Sequence, residues 1–462
     1  MPPAPAAPPC PAAARRIVLA SVGSLGDVHP FVALGRALQA RGHAVTLVCN
    51  DEHRDAAARA GLDAAPTGPA VDLGAASASP NLWHPIKGLG VFWKHMLAPA
   101  IAPTFHHIAR IAADGPCLVV APPVMFGARF ARAACPGVTL VSAITAPAVL
   151  RTDRAPVTMA HWRLPAGTPG PLVRWAWRQL DRHKLHPMAL QRLQREAAAL
   201  GVAGPPAGSS VFGDWMWSPD GGLALFPPWF APARRGWPAD LRPGGFPLFD
   251  DPGGDAAAGG VGDDMAGSHG LVDADGDRAA GGALPPAAEA FLAAGPAPIV
   301  FMPGSAMRHA QAHFAAAVAA CARLGERAVL LTPHAGQLPP ELPPTVLHQP
   351  YLPFGALLPR ARAVVHHGGI GSCAQGLRAG LPQLVMPMAH DQFDNAHCLR
   401  RLGVARILRP RQAEPAALAR ALRALLALPA APRAAARARL LAEPALPGLC
   451  DTLSAWPARS TP

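Results

Sequence analysis

The chain has 462 residues, of which 50% are hydrophobic and only 15% charged. At roughly 100–200 residues per domain this predicts two or three domains with real cores, and it excludes a disordered chain or a coiled coil. The formal net charge is +12, but no Lys/Arg run is interleaved with aromatic residues, which disfavours nucleic acid as a partner.

Lysine occurs only at Lys87, Lys94 and Lys184, so nearly all the positive charge is arginine. With abundant Ala and Pro, this reads as the coding bias of a GC-rich genome. The other reading is attraction to an anionic partner: a membrane surface, a fatty carboxylate or a nucleotide phosphate. The eight cysteines include no CxxC and predict reduced, mostly buried thiols.

Residues 1–15 are Pro/Ala-rich, with the Arg pair after the apolar part. A signal peptide needs the opposite order, so this predicts a loose tail on a cytoplasmic protein. No run of about 18 apolar residues predicts a transmembrane helix. RIVLASV (16–22) predicts a buried parallel strand, GSLGDVHP (23–30) a loop, FVALGRALQARG a helix, and HAVTLVCND a second strand. That is a βαβ unit, with further strands predicted at 117–121 and 138–142. Residues 81–110 and 170–198 are aromatic-rich and helical in pattern. They read either as cover for the sheet or as an apolar acceptor pocket or membrane-facing surface.

The expected organisation is a first α/β domain over 16–245, a Gly/Asp-rich linker or insertion over 246–285, a second α/β domain over 286–425, and a helical tail over 426–462. In the second domain, strands are predicted in APIVFMPGS, RAVLLT, ARAVVHH, LPQLVMPM and VARILRP. Two doubly wound halves facing a cleft are the inferred architecture.

Two loops carry chemistry. HHGGIGS (366–372) lies between an apolar strand and a helix, where backbone amides and the helix dipole suit a phosphate. His367 adds a donor. A zinc site at His366 and His367 is disfavoured, because neighbours on a strand point to opposite faces. Ser305 follows the domain's first strand and suits the same phosphates. Tyr351, the single tyrosine, suits a nucleobase face or an ordinary interface. Asp391 and Gln392 follow the next strand and suit sugar hydroxyls. In GSLGDVHP, Asp27 would repel a pyrophosphate, so the loop suits a general base better than NAD; the plain alternative is a helix cap.

Together HHGGIGS, GLPQLVMP and HDQFDNA resemble the nucleotide-sugar signature of the GT-B glycosyltransferases, in the family that includes glucuronosyl-, plant and antibiotic glycosyltransferases. GSLGDVHP resembles that family's acceptor-site loop. Within the family, GSLGDVHPF, WMWSPDGGLALFPPWFAP (215–232), GGFPLFD, YLPFGALLP and AHDQFDNA are similar to the rhamnosyltransferases of rhamnolipid synthesis. The resemblance implies two Rossmann-like domains and an inverting transfer without metal or cofactor. It implies Asp27 as base; His367, Gly369, Gly371 and Ser372 on the pyrophosphate; Tyr351 on the nucleobase; and Asp391 and Gln392 on the sugar. Gln375 falls where plant relatives carry a ribose-binding Glu, and an amide there fits a deoxyribose.

The donor expected from the resemblance is dTDP-L-rhamnose, and the acceptor a 3-(3-hydroxyalkanoyloxy)alkanoate. That hydroxy-fatty acceptor would be held by aromatic side chains, Trp83, Trp93 and Trp177 among them, with Arg174 or Arg178 on its carboxylate. Peripheral contact with the inner face of the cytoplasmic membrane goes with this reading. The alternatives are a UDP-hexose donor on a sterol or polyketide, a nucleotide-sugar epimerase, and a non-catalytic nucleotide-sugar-binding protein. A nicotinamide oxidoreductase is disfavoured, since neither glycine loop has the dinucleotide fingerprint.

Overall fold

The structure is a computed structural model that describes residues 14–153, 158–159, 162–165, 167–250 and 283–459. Short apolar runs form its strands. In the first lobe these are β1 Arg16–Ala20, β2 Ala44–Cys49, β3 Asp63–Pro66, β4 Cys117–Ala121 and β5 Val138–Ile144. A small antiparallel ribbon follows, β6 Thr158–Met159 with β7 Trp162–Arg163, and then β8 Gly222–Ala224 and β9 Leu241–Arg242. Every residue of β4 and β5 is buried, as expected of parallel strands covered on both faces.

The first sheet runs β3-β2-β1-β4-β5-β8-β9 with every pairing parallel. The second lobe contains β10 Ile299–Met302, β11 Ala328–Leu331, β12 Val346–Gln349, β13 Ala363–His366, β14 Gln383–Val385 and β15 Ala405–Ile407. Its order is β12-β11-β10-β13-β14-β15, again all parallel. In each sheet the winding reverses beside the first strand, between β1 and β4 and between β10 and β13. Connections leave the strand ends in opposite directions there and open a crevice at the carboxyl edge. GSLGDVHP leaves β1, Gly304-Ser305 follows β10, and HHGGIGS leaves β13, so all three loops stand at these reversal points.

The lobes share apolar packing. Phe226, Phe230 and Phe246 from the first lobe join Cys373, Ala374, Leu377 and Val385 from the second in one buried cluster. The segment expected to be a linker begins in this junction. Phe246 is buried, and the Asp250 carboxylate accepts from the amides of Phe354 (2.8 Å) and Gly355. At its other end Leu284 is buried against the second lobe. The remainder of that segment, 251–282, and most of the amino-terminal tail lie outside the described residues.

The last stretch is folded back onto the body. Its prolines start helices: Pro415 opens Pro415–Leu426, while Pro429 and Pro444 immediately precede Ala430–Ala442 and Ala445–Ser454. The final helix packs on the first lobe, where Leu449, Leu453 and Trp456 join Ile17, Phe31 and Leu34. Arg41 pairs with Asp451 at 2.6 Å, and Trp456 Nε1 donates to the Asp220 carbonyl at 3.1 Å. The described cysteines are free, and burial pushes the thiols of Cys49, Cys321 and Cys398 up to about 12, as inert core groups.

Candidate active site

The GSLGDVHP segment is less loop than its composition predicts. The helix starts at Leu25 and runs to Gln39, so Asp27 stands in its first turn. Asp27 Oδ2 accepts from the Ser24 amide (2.8 Å) and the Ser24 hydroxyl (3.1 Å), a cap that satisfies an otherwise free donor. Gly23, at φ +145°, turns the chain so that this carboxylate can fold back. A Cβ there would lie 2.3 Å from Asp27 Oδ2. The loop after β2 fixes the Gly23 peptide: Gly23 N donates to Asn50 Oδ1 (3.1 Å), Asn50 Nδ2 donates to the Gly23 carbonyl (2.8 Å), and His53 Nε2 reaches the same oxygen (3.0 Å). Burial raises the Asp27 pKa above the ordinary carboxylate value, and the Ser24 bonds and His53 offset part of that rise. A carboxylate so raised is a stronger base.

Across the cleft, β13 ends at His366 and the helix Ile370–Ala379 begins after Gly369, whose N-cap position carries no side-chain cap. Its first amides are therefore open to an anion. The two histidines diverge as adjacent strand residues must. His366 is buried, bonded to Gln383 Oε1 at 2.9 Å, with Nδ1 accepting from Gly368 N at 3.1 Å; burial drives its pKa down to about 3. His367 is wedged between Gly304 and Gly369: a Cβ on either would approach its ring to 3.0 and 2.6 Å. Burial lowers its pKa to about 4, so the ring is neutral with a single N–H, and a bond to the Met302 backbone offsets part of that fall. Ser305 is exposed, and Gly371 and Ser372 are half-buried in the first helical turn.

Asp391 immediately precedes the helix Gln392–Arg401. One turn on, the buried Asn395 donates through Nδ2 to Asp391 Oδ2 (2.7 Å) and to the Gly368 carbonyl (3.0 Å), which ties the start of this helix to the HHGGIGS loop. Burial first, and then the charge of Asp27, push Asp391 up to about 7. The helices Leu25–Gln39 and Ile370–Ala379 touch, which brings the turn holding Asp27 to the second lobe. His390 has φ 56°, unusual for a residue with a side chain; such strain concentrates at functional loops.

Other expected residues are differently employed. Gln392 is buried, and its Oε1 accepts from Met388 N (2.8 Å) and Ala389 N (3.1 Å), so that atom braces the loop. Gln375 Nε2 donates to the Phe249 carbonyl at 3.2 Å, and Phe249 stands edge-on to His29. Tyr351 follows β12, half-buried beside Phe354 with ring centres 6.0 Å apart. β12 itself was not among the expected strands; its VLHQ sequence is half polar, unlike the apolar runs of β10 and β11.

The aromatic acceptor pocket is largely corrected. Trp93 is 6% exposed and packs edge-on against Phe126 (5.8 Å) and Phe212 (6.4 Å), so it is core. Trp177 donates through Nε1 to the Thr152 carbonyl (3.0 Å) beneath the Arg151 guanidinium, a structural brace. Trp215 stacks on Phe126, and Phe230 is fully buried. Trp83 instead packs against the second lobe, 6.3 Å from His367 and 6.1 Å from His390 between ring centres. Asn50, His53 and Asn395 were not foreseen. Only Asn395 had a signal, its spacing of four from Asp391 on one helix.

Comparison with known proteins adds three kinds of likeness. The family described as erythromycin biosynthesis protein CIII-like, C-terminal domain, matches residues 317–451, and the glycosyltransferase family 28 N-terminal domain matches 17–99. O-mycaminosyltylonolide 6-deoxyallosyltransferase of Streptomyces fradiae is 30% identical over 423 residues, covering 88% of this chain and 86% of that protein. Among solved structures, the glycosyltransferase of kitacinnamycin superposes with TM-score 0.65 at 22% identity over 96% of this chain and 100% of the other. The glycosyltransferase VinC in complex with dTDP superposes with TM-score 0.60 at 19% identity over 95% and 99%.

Proposed function

The chain belongs to the GT-B glycosyltransferases of the macrolide and antibiotic type, enzymes built from two Rossmann-like domains, and from that premise we propose an inverting, metal-independent transfer of a deoxyhexose from a thymidine diphosphate donor to the hydroxyl of an apolar acceptor. The observation that carries the reading is the contact between the helix Leu25–Gln39, which holds Asp27 in its first turn, and the helix Ile370–Ala379 with its open first amides. Asp27 takes the acceptor proton as that oxygen bonds to the anomeric carbon. The bond from the anomeric carbon to the diphosphate breaks on the opposite face, and its electron pair leaves with the phosphate, so configuration inverts. Helix amides and the neutral His367 hold the departing charge. Asp391, Gln392 Nε2 and Ser305 are assigned to the sugar and phosphates, with Gly369, Gly371 and Ser372 in the cradle; Tyr351 stacks on the base and Gln375 lies near the ribose.

L-Rhamnose and a 3-(3-hydroxyalkanoyloxy)alkanoate are the first donor sugar and acceptor, supported by the motif resemblance. A macrolide-like polyketide acceptor is the second, supported by the Streptomyces relative, whose name specifies a 6-deoxyallosyl group moved to O-mycaminosyltylonolide. The place of action proposed is the inner face of the cytoplasmic membrane. Among the described residues no helix is long and apolar enough to cross a membrane.

The test is a screen of purified protein with dTDP-rhamnose, other dTDP-deoxyhexoses and UDP-glucose against both acceptor classes, read by mass spectrometry. A dTDP-deoxyhexose should be transferred with inversion, and a chelator should leave the rate unchanged. Asp27→Asn should keep thymidine diphosphate affinity and lose roughly 10²–10⁴ in turnover. Near-normal turnover in that variant, or transfer from UDP-glucose alone, sinks the corresponding assignment.

A further inference from the structure

Trp83 belongs to the first lobe but is packed against the core of the second. Its ring stands edge-on to His367 and His390, and the same segment brings Phe92 to 6.1 Å from His390. Gly88 is required within the segment itself, since a Cβ there would lie 2.3 Å from the Leu82 carbonyl oxygen, and His390 Cε1 is next to it at 3.3 Å. A little upstream, the Ala78 carbonyl is 3.3 Å from His309 Nε2, in the loop that follows Gly304-Ser305. The segment therefore spans the two lobes, with Trp83 on the second and Phe92 and Trp93 packed on the core of the first.

Two polar atoms at this contact are unsatisfied. Trp83 Nε1 and His367 Nδ1 are both buried, and among the described residues neither has a hydrogen-bond partner. An indole N–H can only donate. A buried donor left without an acceptor is costly, and such groups ask for an explanation. Beside them lie the uncapped amides at the start of Ile370–Ala379. The Trp83 N–H from one lobe and the helix amides from the other are donors that lack an acceptor of negative charge there.

We propose that Trp83 is a donor-binding residue, whose indole N–H reaches across the cleft to an oxygen of the nucleotide diphosphate beside His367. The inference rests on the nucleotide-sugar reading of that site and moves Trp83 from the acceptor wall to the leaving group. The bond exists only with the lobes together, so the diphosphate itself helps hold the cleft shut and water out.

Trp83→Phe keeps an aromatic ring and removes only the N–H. Titration calorimetry with thymidine diphosphate and uridine diphosphate compares it with wild type and with Phe92→Leu, which alters the same docked segment without touching a donor. Trp83→Phe should weaken nucleotide binding about tenfold, with acceptor KM unchanged, while Phe92→Leu stays near wild type. Wild-type affinity in Trp83→Phe, or equal weakening in Phe92→Leu, overturns the inference alone. Wild-type protein that binds neither nucleotide overturns the inference together with the donor-site reading.

Discussion

Asp27 caps a helix in the first turn after β1, and the proposed mechanism asks the same carboxylate to serve as the base. The capping bonds from Ser24 both fall on Oδ2 and anchor the group. Asp391 is its counterpart, with a pKa raised from 3.8 to about 7 by burial and then by Asp27. Folding therefore favours its protonated form. The stability owed to this group is full below about pH 4 and is lost as pH rises through about 7. Asp391→Asn should accordingly melt higher than wild type in the ligand-free state near pH 8, and the advantage should vanish near pH 4. Asparagine keeps an oxygen for Asn395 Nδ2, so the loop link survives. Scanning fluorimetry across pH checks this, and a difference independent of pH would contradict it.

At the scale of elements, parallel neighbours bring their carboxyl ends together, and this is how the loop after β2 comes to hold the turn after β1. Ser21 N donates to the Val48 carbonyl at 2.9 Å, and Asn50 and His53 follow directly onto Gly23. Gly23 is required twice, by its positive φ and by the closeness of Asp27 Oδ2. Gly23→Ala should push the carboxylate aside and cost roughly 10²-fold in turnover, because misplacement of about an ångström is enough. Nucleotide affinity should hold, since the diphosphate cradle is on the other lobe. Steady-state kinetics alongside calorimetry separate the two; unchanged turnover would show that the Asp27 position does not depend on this glycine.

For the whole molecule, the proposed site of action makes a prediction about surfaces. Leu172 and Trp175 are 50% and 52% exposed on the helix Gly170–Leu180, beside the exposed Arg174 and Arg178, on a chain of net charge +12. The protein should sediment with vesicles containing anionic lipid and lose this in high salt or as Trp175→Glu, while transfer to a soluble acceptor persists. Equal sedimentation with neutral and anionic vesicles would argue against the contact. Much of the fold was legible, because a strand buried on both faces must be an unbroken apolar run. CLVVA was read as 117–121, the span of β4, and the strand-loop-helix order around HHGGIGS was read correctly. The aromatic segments were not legible in this way. A tryptophan is equally apolar in a core, a pocket wall or a cross-lobe contact, and Trp93, Trp177 and Trp83 each took a different role. The sequence alone determined two wound sheets, a carboxylate in the early turn and an amide cradle in the late one, since these depend on local periodicity, glycine and helix ends. Only tertiary structure decided that Trp83 meets His367, that the helices Leu25–Gln39 and Ile370–Ala379 touch, and that the last helix returns to the first lobe. Those contacts join residues as far apart as Arg41 and Asp451, 410 positions, and no local pattern encodes which distant surface a buried face will meet.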